Sequence, residues 1–215
     1  MKVLLVGNGC SAIDQKMGKV IDSEFDLVLR MNRFKTEGYE EYVGSKTDVW
    51  VVSDNAFQWV RNKTEGIEGS NNWKNYGAIY IGIPSFKYHH FLDTEEELSK
   101  QFGIPIYIFP PIVGDRASYD MKLPIEQWPT LGMQCLYGLI LLKHVKDIYI
   151  YGFDGKDKKY KYLHYYDDET NSDWETKAYY SKKLNHADGV EFNHIQNLAK
   201  NKNIKILQEH YKGEE

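Results

Sequence analysis

The sequence predicts an α/β fold: a single Rossmann-like domain with a mostly parallel sheet flanked by helices. Short apolar runs of strand length recur along the chain, and several are uninterrupted, as in strands covered on both faces. The first run ends in glycines and leads into a helical stretch, the strand–turn–helix order of parallel α/β sheets. At 215 residues the chain has the length of one domain, or one domain with an elaborated lid, so 1–215 is read as a single unit.

Each element follows from its pattern. Val3 to Val6 is the first strand and stops in Gly7-Asn8-Gly9-Cys10-Ser11. Ala12 to Ile21 then continues as a helix, with Met17 and Ile21 on one side. Phe25 to Met31, Thr47 to Ser53, Ala78 to Ile83 and Ile104 to Phe109 read as the second to fifth strands. Thr130 to His144 makes a buried helix and hands over to the β-rich run Asp147 to Tyr151, which ends at Gly152-Phe153-Asp154-Gly155. Gly155 to Tyr166 reads as a loop rich in tyrosine and lysine. The tail holds an amphipathic stretch from Asp173 to Leu184, a helix from Ala187 to Lys200 and a short strand from Ile204 to Leu207. The charge run Asp93 to Glu97 is a solvated helix face or loop without assigned function, whereas Lys156 to Lys161 leads into Tyr162-Leu163-His164 and resembles a phosphate-facing loop.

Composition narrows the function classes. Twenty-seven Lys and Arg against thirty-one Asp and Glu leave a net charge of −4, so no bulk attraction to nucleic acid or anionic membrane is expected. The two cysteines, Cys10 and Cys135, are too few for a disulfide framework, which makes a reducing compartment the default. The longest apolar-rich run, Met133 to Leu142, is half of the roughly 20 residues that cross a bilayer. With no signal-like start, the expectation is a cytoplasmic chain without a transmembrane segment.

Glycines at a strand-to-helix turn let backbone N–H groups approach a phosphate, and a helix start adds partial positive charge there. Gly7-Asn8-Gly9 suits that chemistry, or a tight turn with no ligand. The full dinucleotide fingerprint has a third glycine and an acid after the second strand, where this chain has Arg30-Met31-Asn32, so NAD is disfavoured. Asn8 and Asn32 end the first two strands, and in a parallel sheet both side chains reach the same carboxyl-end crevice, where amides can read ribose hydroxyls or phosphate. Pro129-Thr130-Leu131-Gly132 offers a hydroxyl, N–H groups and a close-approach glycine, or an ordinary N-cap. His164 and His186 are either exposed histidines or working ones. An imidazole near a helix start, as at His186, suits deprotonation of a substrate hydroxyl at neutral pH, and Glu191 orients or caps. The seven histidines form no metal-ligand pattern and no Asp-x-Asp triplet occurs, so no metal is expected.

Together these clusters resemble the sialylmotifs of the eukaryotic-type sialyltransferases, glycosyltransferase family 29. Val3 to Gly9, Ile21-Asp22-Ser23 and Asp26 to Asn32, continued by Thr36 to Glu40 and Val43 to Thr47, are similar to the family's large motif. Pro129 to Gly132 with Asp147 to Phe153 resembles the small motif, His164-Tyr165-Tyr166-Asp167 the third motif, and His186 to Glu191 the very small motif. The resemblance spans residues 3 to 191 and implies the GT-A-like variant fold of sialyltransferases. It also implies a metal-independent, inverting transfer of sialic acid from CMP-sialic acid to a hydroxyl of a glycan or glycolipid acceptor, with no cofactor. By that resemblance Asn8, Gly9 and Asn32 contact the CMP part of the donor, Thr130 and Gly132 the donor at the head of the buried helix, and Gly152 the nucleotide. Tyr162 flanks the donor, His164 hydrogen-bonds the departing phosphate, and His186 is the general base. The chain departs from the family in three respects, the first being that it is shorter than the usual catalytic domain, so trimmed acceptor-binding insertions are expected. Leu131 stands where the small motif usually has a second hydroxyl, which keeps another CMP-linked sugar such as CMP-Kdo as an alternative; a non-catalytic nucleotide-binding module, in which the glycine turn holds CMP and both histidines are incidental, is a separate one. Cys10 and Cys135 occupy neither place of the family's paired cysteines. Acceptor-binding chemistry is assigned to the regions Asn55 to Trp73 and Ser85 to Lys100.

Overall fold

The structure, a computed structural model, describes residues 1–61, 75–84, 87–88, 94–142, 144–154, 160–167, 189–201 and 204–212. Seven strands form one sheet: β1 (Lys2–Val6), β2 (Leu27–Met31), β3 (Val49–Ser53), β4 (Ala78–Gly82), β5 (Ile106–Ile108), β6 (Asp147–Tyr151) and β7 (Ile204–Ile206). Their order is β5-β4-β3-β2-β1-β6-β7 and every pairing is parallel. The chain builds outward from β1 to β5, then crosses back to lay β6 on the other side of β1. The β1/β6 junction is therefore the topological switch point, the place where ligands enter parallel α/β sheets at the carboxyl ends of the strands.

The alternation of side chains along each strand sorts the core into two covered faces. Val3 and Leu5 of β1 join Leu29, Met31, Val51, Ile148 and Ile150 on one face. Against it pack α5 (Pro111–Met121), α6 (Leu131–Leu141) and α7 (Val190–Asn201). Leu4 and Val6 join Val28, Tyr149 and Tyr151 on the other face, under Met17, Ile21, Val43 and Leu207. These four belong to the segment around α1 (Gly18–Glu24), α2 (Glu40–Val43) and α8 (Leu207–His210). Farther along that face Trp50, Val52, Ile79 and Ile81 meet Phe57 of α3 (Asp54–Arg61) and Leu98 of α4 (Glu95–Phe102). Uninterrupted apolar runs are thus strands buried on both sides, as the sequence pattern requires.

Local departures from the sequence reading have physical causes. The stretch after the first strand is not one helix: a 3-10 turn covers Cys10–Ile13, and α1 begins only at Gly18. The phenol of Tyr151 fills the break, donating to the carbonyls of Ala12 at 2.7 Å and Gln15 at 3.0 Å. The charge run before α4 is a solvated helix start, as its pattern suggests: Thr94 and Glu97 form a reciprocal capping box. α5 has no strong periodic signal because Val113, Ala117 and Met121 form only a narrow buried stripe. It is secured to α6 and α7 by a polar chain. Arg116 pairs with Asp120 at 3.0 Å, the Tyr137 hydroxyl donates to Asp120 at 2.9 Å, and His194 Nε2 meets that hydroxyl at 2.8 Å. Burial, reinforced by Asp120, pushes the Tyr137 hydroxyl well above the ordinary tyrosine range. The amphipathic stretch Asp173 to Leu184 lies outside the described residues.

Arg30, in the position where a dinucleotide fold has its acid nearby, is fully buried. Its Nη2 donates to the carbonyls of Val43 at 2.6 Å and Gly44 at 3.1 Å, and its Nε to the Lys46 carbonyl and the Thr47 hydroxyl. The guanidinium therefore organises the loop between α2 and β3 and faces no ligand crevice.

Candidate functional site

The carboxyl ends of β1, β2 and β6 converge at the switch point. Gly7 and Gly152, which follow β1 and β6, lie backbone to backbone, and a side chain at Gly7 would collide with the Gly152 carbonyl. Gly152 turns the chain with φ +69°, a conformation that glycine adopts without strain. The Gly7 N–H donates to the Tyr151 carbonyl at 2.7 Å and the Gly9 N–H to the Gly152 carbonyl at 3.0 Å. The crook of the bend holds an anion from the chain itself. Asp154 accepts from the Ser11 N–H at 3.0 Å and from the Ser11 hydroxyl, and its carboxylate stands 2.5 Å from where a Gly9 Cβ would lie. Sequence reading passed over this role for Asp154; the available signal was an acid two residues after the glycine that follows β6.

Asn8 and Asn32 come together as their strand-end positions require. The Asn8 amide donates to the carbonyls on both sides of Asn32, those of Met31 at 3.0 Å and of Arg33. Its Oδ1 is buried with no hydrogen-bond partner among the described residues. Asn32 has φ +46°, in the left-handed region that asparagine tolerates better than most residues. It is held there by its own N–H to Val51 at 2.7 Å, by the Trp50 indole to its carbonyl at 2.7 Å, and by the Ser53 N–H to its Oδ1 at 2.9 Å. Its Nδ2 has no partner among the described residues.

The segment 160–167 folds over these strand ends. Tyr165 donates its N–H to the Asn8 carbonyl at 3.0 Å, and its hydroxyl meets both the carbonyl and the N–H of Lys35. The Tyr166 hydroxyl donates to the Arg33 carbonyl at 2.9 Å. His164 stacks on Tyr166, ring centroids 5.1 Å apart and planes within 5°. Its Nδ1 lies 3.1 Å from Asp167 Oδ2, a carboxylate only 1% exposed, which also receives the His164 N–H. That pairing fixes the orientation of the ring through Nδ1. Tyr162 is partly buried, its carbonyl accepting from the Cys10 thiol at 3.2 Å and its ring 5.1 Å from the Lys161 ammonium. Burial, with Asp154 and Asp167 nearby, pushes the Cys10 thiol up to about 12.

Across the sheet, Thr130 caps α6 and is gripped by Glu191 from the first turn of α7. Its N–H donates to Glu191 Oε1 and its hydroxyl to Oε2, both at 2.7 Å, while the hydroxyl accepts from Met133 N–H at 3.4 Å. Gly132 is covered by Phe153, whose ring lies 2.8 Å from the position of an added Cβ, and Leu131 is buried against Gly82 at the end of β4. Thr130 and Gly132 are thus both occupied by the chain's own groups. The structure gathers Asn8, Gly9, Asn32, Gly152, Tyr162 and His164 at one end of the sheet. His186 lies outside the described residues, as does most of the Asn55 to Trp73 region.

Among the described residues, no group of three or more His, Cys, Asp or Glu is placed to hold a metal ion, and no helix is long and apolar enough to cross a membrane. Both cysteines are buried free thiols.

Residues 3–100, a little under half of the chain, match the model of glycosyltransferase family 29 (sialyltransferase). The fold as a whole is similar to crystal structures of a mammalian sialyltransferase. The structure in complex with Gal-beta-1-3GalNAc-ortho-nitrophenol aligns over 99% of this chain and 70% of its own, with a TM-score of 0.57 and 22% identity. A second structure of a mammalian sialyltransferase aligns over 99% and 69%, with the same TM-score and 23% identity. No curated protein matches the chain.

Proposed function

We propose that this chain is a glycosyltransferase of family 29 that moves sialic acid from CMP-sialic acid to a hydroxyl of a glycan acceptor, with inversion and without a metal. The observation that carries the reading is His164, locked by buried Asp167 and stacked on Tyr166, whose hydroxyl anchors beside Asn32 at the switch point.

In this reading the nucleotide lies across the ends of β1 and β2, where Asn32 offers its Nδ2. One phosphate suits the site better than two. The bend that would cradle a further phosphate is already filled by Asp154, and a second anion there meets a fixed negative charge instead of vacant N–H groups. A ring that gives Nδ1–H to Asp167 can give Nε2–H to a phosphate only as the imidazolium. His164 in that state stabilises the charge that grows on the departing CMP phosphate.

His186, five residues before Glu191, is the general base. It takes the proton of the acceptor hydroxyl as that oxygen bonds to the anomeric carbon. The bond from that carbon to the phosphate oxygen breaks, and its electron pair leaves with CMP. Glu191 clamps the start of α7 to the head of α6.

The experiment is transfer from CMP-sialic acid to galactose-terminated acceptors by wild type and His186→Ala. A loss of about a hundredfold or more with CMP binding kept supports the base; near-normal turnover refutes it. A second reading changes only the sugar. Buried Leu131 presents no hydroxyl to a donor carboxylate, so product analysis with CMP-Kdo beside CMP-sialic acid separates the two donors. Tight CMP binding without hydrolysis or transfer, across both donors, marks the non-catalytic module.

A further inference from the structure

A second cleft lies on the sheet face that carries α2 and α8, and it shares no residue with the crevice described above. It holds about 520 Å³ and is lined by Ile13 to Lys16 from the turn before α1, Tyr42 from α2, and Gln208, Tyr211 and Lys212 at the end of the described chain. That volume is within the usual range of ligand sites, roughly 300–1,000 Å³, but the lining is far more polar than is usual for apolar ligands. Ile13 is its one aliphatic wall residue.

We propose that this cleft is a carbohydrate-binding subsite that takes a neutral hexose residue of an oligosaccharide. Its walls are held by partners at the rim. Asp14 accepts from the Tyr160 hydroxyl, Lys16 pairs with Glu41 at 3.0 Å, and the Tyr211 hydroxyl accepts from Lys2 at 3.3 Å. Such anchoring lowers the ordering cost of binding. Two glutamines of the wall are less committed. Gln208 lines the cleft, and its Oε1, closed off from solvent, has no hydrogen-bond partner among the described residues. Gln15 is exposed, and its side chain has no partner among the described residues.

A sugar supplies what these groups lack. Each hydroxyl both donates and accepts, which matches amides that carry one acceptor and two donors. The apolar C–H faces of a hexose suit phenol rings with an apolar body and a polar tip. Charge argues against an anion, because Asp14 and Glu41 offset the lysines of the same wall.

The test is titration of ¹⁵N-labelled full-length protein with lactose, in the presence of saturating CMP. The expected result is shifts of the Gln15 and Gln208 side-chain amides and of backbone amides at 13–16 and 208–212. In Gln15→Ala/Gln208→Ala the lactose affinity falls at least about fivefold, while CMP affinity and melting temperature hold. If the double variant fails to fold, Gln15→Ala on its exposed turn carries the same comparison. Absence of lactose shifts, shifts confined to the region of His164 and Thr130, or a response to inorganic phosphate in place of lactose overturns the proposal. None of these outcomes depends on whether the chain transfers sialic acid.

Discussion

Asn8 straddles Asn32: one side-chain amide, just beyond β1, donates to the carbonyls on either side of the residue that follows β2. The two asparagines are neighbours because β1 and β2 pair in parallel, Val6 opposite Arg30. Asn8 therefore shapes the backbone that presents Asn32.

Replacing Asn8 with Asp sets a carboxylate against two carbonyl oxygens and removes both donated bonds. Asn8→Asp is expected to lose about 2–3 kcal/mol of stability, and Asn8→Ala about 1–2. Urea unfolding of the three proteins checks the order, and equal midpoints for Asp and Asn would contradict the straddle.

Glu191 receives both the N–H and the hydroxyl of Thr130 at 2.7 Å. Glu191→Ala leaves a part-buried N–H unpaired and is expected to cost about 2 kcal/mol, whereas Glu191→Gln, which keeps one acceptor oxygen, costs about 1. If Glu191 also positions the segment before α7, Glu191→Ala lowers kcat more than it weakens CMP, and Glu191→Gln restores part of the loss. A fall in stability with unchanged kcat assigns the clamp to folding alone.

Asp167→Asn breaks the charged partner of His164 without changing its shape. Under the proposed reaction, a ring that has lost its positive charge no longer stabilises a departing phosphate, so turnover is expected to drop by about 10–100-fold. His164→Ala should lose at least as much, and the double variant no more than His164→Ala alone. Additive losses would mean that the two side chains act separately.

The Cys10 thiol titrates at about 12 in the folded chain against 9.0 for an ordinary thiol, chiefly because it is buried. From about pH 9 upward the unfolded chain sheds this proton while the folded chain keeps it. The folded state thereby loses stability as pH rises from about 9 toward 12. Urea midpoints at pH 8 and pH 10.5 should therefore differ less in Cys10→Ala than in wild type. Iodoacetamide at pH 8 should label Cys10 slowly until denaturant is added.

Gly132 lies 2.8 Å from the Phe153 ring at the position an added methyl would take. Gly132→Ala overpacks this contact and is expected to cost about 1–3 kcal/mol despite the better helix propensity of alanine. Adding Phe153→Leu should recover part of it. Thermal melts of the single and double variants measure the coupling.

The α/β class, the strand positions and the cap of α6 were legible because burial on both faces leaves uninterrupted apolar runs and because N-caps have a local chemistry. β6 at Asp147–Tyr151 and the cap at Thr130 stand where the pattern put them. The strand-end position of Asn8 and Asn32 was enough to predict that they share a crevice, since parallel neighbours end on the same side. The break between the 3-10 turn and α1 was not legible. It depends on Tyr151, a residue 136 positions beyond Gln15, whose phenol takes the carbonyls a continuous helix would have used.

By itself, then, the sequence determined which segments are strands and which turns carry the asparagines and glycines. Tertiary structure alone decided what each polar group of those turns is bonded to. Asp154 fills the bend, Glu191 takes the Thr130 hydroxyl, and Phe153 covers Gly132, contacts made across 143, 61 and 21 positions of chain. Local patterns encode backbone preference and burial, which are properties of neighbours in sequence; a hydrogen-bond partner is a neighbour in space, chosen only when the sheet brings distant turns together.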